Sequence, residues 1–228
     1  MAHIGKRIRK AYEKIDANKV YTLDDAVKLI KERATAKFDE TIEVAVNLNL
    51  DTRKADQSIR GMISLPHGTG RSMRVAVFAK DAKADEAKKA GADIVGDDDL
   101  AEAIKKGEIN FDRCIATPDM MGVVGKVAKI LGPKGLMPNP KLGTVTVNVA
   151  QAVQDAKAGQ IEYRAEKAGI IQAGVGKASF SEKQLIENIK FLTDTLSKTR
   201  PTGIKGNYIK KVSLSSTMGP SVRVDLEV

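Results

Sequence analysis

Residues 41–50 place the tightest constraint on how this chain can fold. Ile42, Val44, Val46, Leu48 and Leu50 alternate without a break with Thr41, Glu43, Ala45, Asn47 and Asn49. A period of two over this length makes a strand with one buried and one wet face. Residues 208–216 and 221–228 alternate in the same way, interrupted by Thr217-Met218-Gly219-Pro220. Between these outer segments the style changes. Residues 73–79 are apolar apart from Arg74, as expected of a strand covered on both faces. Strands are expected at 94–95 and 113–116, alternating with helices over 82–90, 98–106, 120–131 and 149–158. Such alternation argues for a small three-layer α/β unit with a parallel sheet. After Gly159 the outer style returns. Residues 161–164 and 169–175 read as strands paired with each other, and 182–197 as an amphipathic helix with Leu185, Ile189, Leu192 and Leu196 on one face. Near the start, Thr22 caps a helix and Asp25 follows three residues on. The simplest architecture is a split α+β domain made from both chain ends, residues 1–67 with 160–228. An α/β domain, residues 68–159, is inserted between them.

Composition narrows function by exclusion. No run approaches 18 apolar residues, so a membrane span is not expected. The basic N-terminus lacks an apolar segment and a cleavage site, and Glu13 and Asp16 come early for a transit peptide. One cysteine, Cys114, leaves no intramolecular disulfide and no cysteine-cluster metal site. It sits in an apolar strand, which favours a buried thiol over a nucleophile. Two histidines, His3 and His67, offer little for a metal site or a catalytic triad. No phosphate-binding P-loop is present. Gly68-Thr69-Gly70 and Gly174-Val175-Gly176 both lack the third glycine of a dinucleotide fingerprint. Asp97-Asp98-Asp99 reads as a helix N-terminus complementing the helix dipole. No catalytic residue, metal or cofactor is expected.

The net charge is +9. The outer segments hold +7 of it, while residues 81–112 count five basic against ten acidic side chains. A basic balance without lipid-binding features points first to nucleic acid. Residues 120–154 contain no acid but carry Lys126, Lys129, Lys134 and Lys141. This stretch is either a neutral-to-basic connector or a surface facing phosphate, and charge patterning alone does not separate the two. Lys6, Arg7, Arg9 and Lys10 form another acid-free cluster. The loop 132–143 holds three glycines and three prolines with Lys134 and Lys141, a stiff loop whose backbone can approach a ligand. Thr217-Met218-Gly219-Pro220 is either a bulge with Met218 in the core, which motif base rates favour, or a displayed ligand contact. In the second reading the Thr217 hydroxyl donates to and accepts from a ribose 2′-OH, and Met218 covers a ribose or base face.

Four separated motifs stand in register: residues 37–44 (Lys-Phe-Asp-Glu-Thr-Ile-Glu-Val), the loop 132–143, residues 175–180 (Val-Gly-Lys-Ala-Ser-Phe) and residues 217–221 (Thr-Met-Gly-Pro-Ser). Together they resemble the family of the bacterial large-subunit ribosomal protein one, the "L-one" protein of the lateral stalk, over essentially the whole chain. The resemblance implies a split RNA-binding domain holding both termini and a Rossmann-like domain inserted on a hinge. It implies a cytoplasmic, ribosome-bound component of the 50S subunit, monomeric when free and not an enzyme. Its partners would be the stalk region of 23S rRNA, exit-site tRNA whose release it assists, and its own operon mRNA, which it represses. By motif, Lys37, Phe38, Glu40, Thr41 and Glu43 would line one side of the RNA site. Lys177, Ser179, Thr217, Met218 and Gly219 would line the other, with Lys134 and Lys141 as secondary RNA- or tRNA-facing residues.

Acids and hydroxyls share this site with lysines, so RNA shape is read alongside phosphate charge. Affinity for the stalk RNA should therefore fall only modestly with salt. A salt titration implying more than about eight released counterions would contradict this reading.

Overall fold

A computed structural model describes residues 5–225 except 14, 17–18, 55–56, 202–203 and 205. Elements in chain order are α1 (Lys6–Tyr12), β1 (Val20–Tyr21), α2 (Leu23–Arg33), β2 (Thr41–Leu48) and β3 (Arg60–Ser64). Then come β4 (Val75–Phe78), α3 (Asp81–Lys89), β5 (Ile94–Gly96), α4 (Asp98–Lys105), β6 (Arg113–Ala116), α5 (Met121–Leu131) and α6 (Val149–Lys157). The chain closes with β7 (Gln160–Arg164), β8 (Ile170–Lys177), α7 (Glu182–Lys198), β9 (Ile209–Ser216) and β10 (Ser221–Val224). Residues 226–228 of the last expected strand lie outside the described residues. The fold is mixed α/β with several sheets, and the chain divides into two compact units, residues 1–70 with 161–228, and residues 71–160.

In the first unit the sheet order is β1-β10-β9-β2-β8. The period of two in β2 is what places it centrally. Ile42, Val44, Val46 and Leu48 are buried, and both edges of the strand are paired, one by β8 and one by β9. Helices α2 and α7 cover this face with Ala26, Val27, Ile30, Leu185, Ile189, Leu192 and Leu196. The Thr22 hydroxyl accepts the Asp25 N–H at the start of α2. At the start of α7, Ser181 and Gln184 form a reciprocal capping box. The opposite face of the sheet stays wet, with Glu43, Gln172, Lys211 and Arg223 exposed.

One expected pairing is wrong. β7 and β8 do not pair with each other; β7 pairs with β3, and β8 joins the main sheet beside β2. The turn at Glu166–Gly169 looks like a hairpin in sequence. However, Ile171, Ala173 and Val175 of β8 belong to the helix-covered core, and only pairing with β2 puts them there. Gly169 makes the change of direction with φ +73°, in the left-handed region that favours glycine.

The second unit is a three-stranded parallel sheet, β5-β4-β6. All four residues of β4 are buried because helices cover both faces. Val75, Val77 and Ile115 pack with Ala87 of α3 and Val149, Val153 and Ala156 of α6. Ala76, Phe78, Cys114 and Ala116 pack with α4 and α5. Burial pushes the Cys114 thiol up to about 12, which leaves it un-ionised at neutral pH. Asp98 and Asp99 occupy the first turn of α4. Among the described residues, no helix is long and apolar enough to cross a membrane.

A buried amide fixes the segment at residues 67–68 against α7. Asn188 has no exposed surface; its Oδ1 accepts the His67 N–H at 3.1 Å, and its Nδ2 donates to the carbonyls of Gly68 at 3.0 Å and Val175 at 2.7 Å. Asn188→Leu would leave three backbone groups without their partner, and should cost about 3 kcal/mol in a urea melt. A loss under about 0.5 kcal/mol would show that the amide is not a structural clamp.

Candidate RNA interface

Three strand ends converge at one end of the first unit's sheet. Thr41 begins β2 and lies opposite Lys177 at the end of β8, while Ile42 lies opposite Ser216 at the end of β9. The registers that bury the core therefore also gather the Lys37–Glu43, Lys177–Ser179 and Thr217–Gly219 motifs. Lys177 Nζ donates to Thr41 Oγ1 at 2.8 Å. The Thr217 N–H donates to the Thr41 carbonyl at 3.0 Å, and Thr217 Oγ1 accepts the Thr41 N–H at 3.0 Å. Ser179 binds Asp39 twice, through its N–H at 3.1 Å and its hydroxyl at 2.8 Å.

Glu40 is the centre of this arrangement and is only 1% exposed. One carboxylate oxygen accepts the Ala36 N–H at 2.8 Å, and the other accepts the Met218 N–H at 3.0 Å. Burial alone would raise its pKa. Hydrogen bonds from the Ala36 and Met218 N–H groups, with the nearby Ser216 hydroxyl and the charge of Arg7, outweigh burial and hold the carboxyl below its ordinary value. Arg7 of α1 also donates from Nη1 to the Met218 carbonyl at 2.9 Å. The turn carrying Met218 is thus held from below by an anion and from the side by a cation.

Three readings of these residues change. Glu40 does not line a surface: its carboxylate is enclosed and bonded to the Ala36 and Met218 N–H groups, so it organises the cluster from within. The Thr217 hydroxyl is committed to Thr41, donating to its carbonyl at 3.2 Å. It keeps a lone pair for a 2′-OH but no free proton. The core reading of Met218 is also wrong. The side chain is 43% exposed, on a turn closed by the Gly219 N–H donating to the Ser216 carbonyl at 3.2 Å. A Cβ on Gly219 would stand 2.3 Å from Ser216 Oγ, which explains the glycine. Phe38 is 55% exposed, and Lys37 and Glu43 are exposed.

Sequence reading passed over Asp39 and gave Arg7 no place in the site. A signal for Glu40 was available. Its number is in phase with Ile42 and Val44, so the alternation that buries them turns residue 40 inward too. Nothing comparable marks Arg7, because its contact spans 211 positions.

Lys134 and Lys141 belong to the second unit, whereas the cluster around Glu40 belongs to the first. Both lysines are exposed on a well-braced loop. Asn139 accepts the Lys141 N–H at 2.9 Å, and Thr144 Oγ1 accepts the Asn139 N–H at 2.7 Å. Pro138 and Leu142 are buried beneath.

A family model described as the ribosomal protein L1p/L10e family matches residues 30–220. The chain belongs to this family. It is a ribosomal protein that binds ribosomal RNA, in a family of structural ribosomal proteins. The match spans Lys37 through Gly219, so every motif of the cluster falls within the family's own extent; Arg7 falls before it.

An ionised Glu40 stabilises the fold above the ordinary glutamate range, and that contribution is lost as pH falls through its lowered pKa. Glu40→Gln should cost about 1–3 kcal/mol at pH 7, because hydrogen bonds to a charged acceptor are lost or weakened. The difference from the parent should shrink as pH falls below about 4. Urea melts across pH check both; equal stability at pH 7 would contradict an organising carboxylate.

Proposed function

We propose that this protein grips the stalk region of 23S rRNA with the cluster at the end of the first unit's sheet. As part of the 50S subunit it assists release of deacylated tRNA from the exit site, and it represses translation of its own operon by binding the same RNA shape in the mRNA. In this reading both chain ends form the RNA-binding domain, and the Rossmann-like unit is an insert that moves with passing tRNA. The protein works in the cytoplasm on the ribosome, is a monomer when free, and uses no cofactor.

One observation carries the reading. Met218, a large apolar side chain, is displayed on a turn whose backbone and Thr217 hydroxyl are tied to the Glu40 carboxylate, Arg7 and Thr41. An exposed methionine on a backbone held so firmly suits a ribose or base face, since little backbone freedom of the turn remains to be lost on binding. Phe38 adds a second exposed apolar face for stacking. Lys37 and Lys177 supply charge for phosphate, and Glu43 is an exposed acceptor for an exocyclic amine or a 2′-OH. A carboxylate in a phosphate-binding site penalises non-specific binding, which favours a particular RNA shape.

Met218→Ala should weaken binding to the stalk RNA by about 1–3 kcal/mol, the scale of one lost stacking contact. Its melting temperature should stay within about a degree of the parent, because the side chain is not part of the core. Filter binding and calorimetry on one preparation decide it. A lower melting temperature with unchanged affinity per folded molecule would return Met218 to a structural role.

A further inference from the structure

Helix α5 of the second unit buries Val124, Val127 and Leu131 against α4 and the sheet. Its exposed positions are Gly122, Gly125, Lys126 and Lys129, which form one face at helical spacing. They lie within residues 120–154, where there is no acid. Lys129 has no acidic partner among the described residues, and Lys126 makes only an exposed pair with Asp98 at 3.2 Å. Glycine is among the poorest residues for a helix interior. Gly132, by contrast, has a reason inside the chain, because a Cβ there would meet the Ala128 carbonyl at 2.9 Å. At Gly122 and Gly125 a Cβ would meet nothing within 4 Å, and neither has positive φ. The fold gains nothing from leaving these two positions bare.

We propose that this face of α5 docks against the sugar–phosphate backbone of an RNA helix, as a second contact besides the Met218 turn. The charge on α5 itself fits a polyanion, since the helix offers Lys126 and Lys129 and no acid of its own; Asp98 of the adjoining α4 pairs with Lys126 at the edge of the face. The bare glycines let the strand reach the helix backbone, where carbonyl oxygens can accept from ribose 2′-OH groups. Lys126 exchanges its weak surface pair for phosphate, and Lys129 takes a neighbouring phosphate. The inference rests on the protein being an RNA-binding ribosomal protein, but not on the role given to Met218.

The test uses the full-length chain, an RNA duplex of about 20 base pairs of arbitrary sequence, and the matching DNA duplex. The parent should prefer RNA. Gly122→Leu with Gly125→Leu should weaken RNA-duplex binding at least about tenfold. Gly122→Ala with Gly125→Ala should raise the melting temperature, since nothing inside the chain needs the bare positions. Lys126→Gln with Lys129→Gln should lower the slope of log affinity against log salt by about 2; these surface changes keep the test decisive if the leucines disturb folding. An unchanged slope in the glutamine variant, or equal binding of RNA and DNA duplexes, overturns the proposal. Loss of duplex binding on Met218→Ala with none in the α5 variants also overturns it, and leaves the reading of the Met218 turn standing.

Discussion

A carboxylate taken almost wholly out of water must be hydrogen-bonded or neutralised. Glu40 meets that demand with two backbone N–H groups from distant parts of the chain, Ala36 and Met218. The requirement works in both directions. The buried charge needs its donors, so the loop before β2 and the turn after β9 are held to one geometry. Arg7 reinforces this by supplying the nearby positive charge and a bond to the Met218 carbonyl. Without Glu40 the turn would keep only its bonds to Thr41, Arg7 and Ser216.

The cluster therefore divides into residues that hold and residues that are held out. Asp39, Glu40 and Thr217 spend their polar atoms on Ser179, Ala36, Met218 and Thr41. Phe38 and Met218 keep apolar surface exposed, and Lys37 and Glu43 keep charge exposed. This separation suits a protein that recognises an RNA shape. Contacts to bases and riboses depend on geometry, and geometry is set by groups that are already satisfied before RNA arrives.

Much of the fold was legible because it rests on local periodicity. The alternation of residues 41–48, the continuous apolar run of β4 and the capped stripe of α7 each specify an element and its buried face. Pairing was less legible. β7 and β8 adjoin in sequence, yet their partners are β3 and β2, since partner choice is decided by which register completes the core. In the site, motifs marked the right segments but not the roles within them. Residue type suggested that Glu40 reads RNA, while its phase with Ile42 and Val44 put it inside. Asp39 and Arg7 act through partners 140 and 211 positions away, a relation that local pattern does not carry.

The central claim is that Glu40 acts on RNA binding through the Met218 turn. A double-mutant cycle on stalk-RNA affinity, with Glu40→Gln, Met218→Ala and the double variant, tests it most directly. If Glu40 only positions Met218, most of the loss caused by Glu40→Gln should disappear once Met218 is alanine, giving a coupling of about 1 kcal/mol or more. Additive losses, within about 0.5 kcal/mol, would mean that the two residues act independently and would contradict the account.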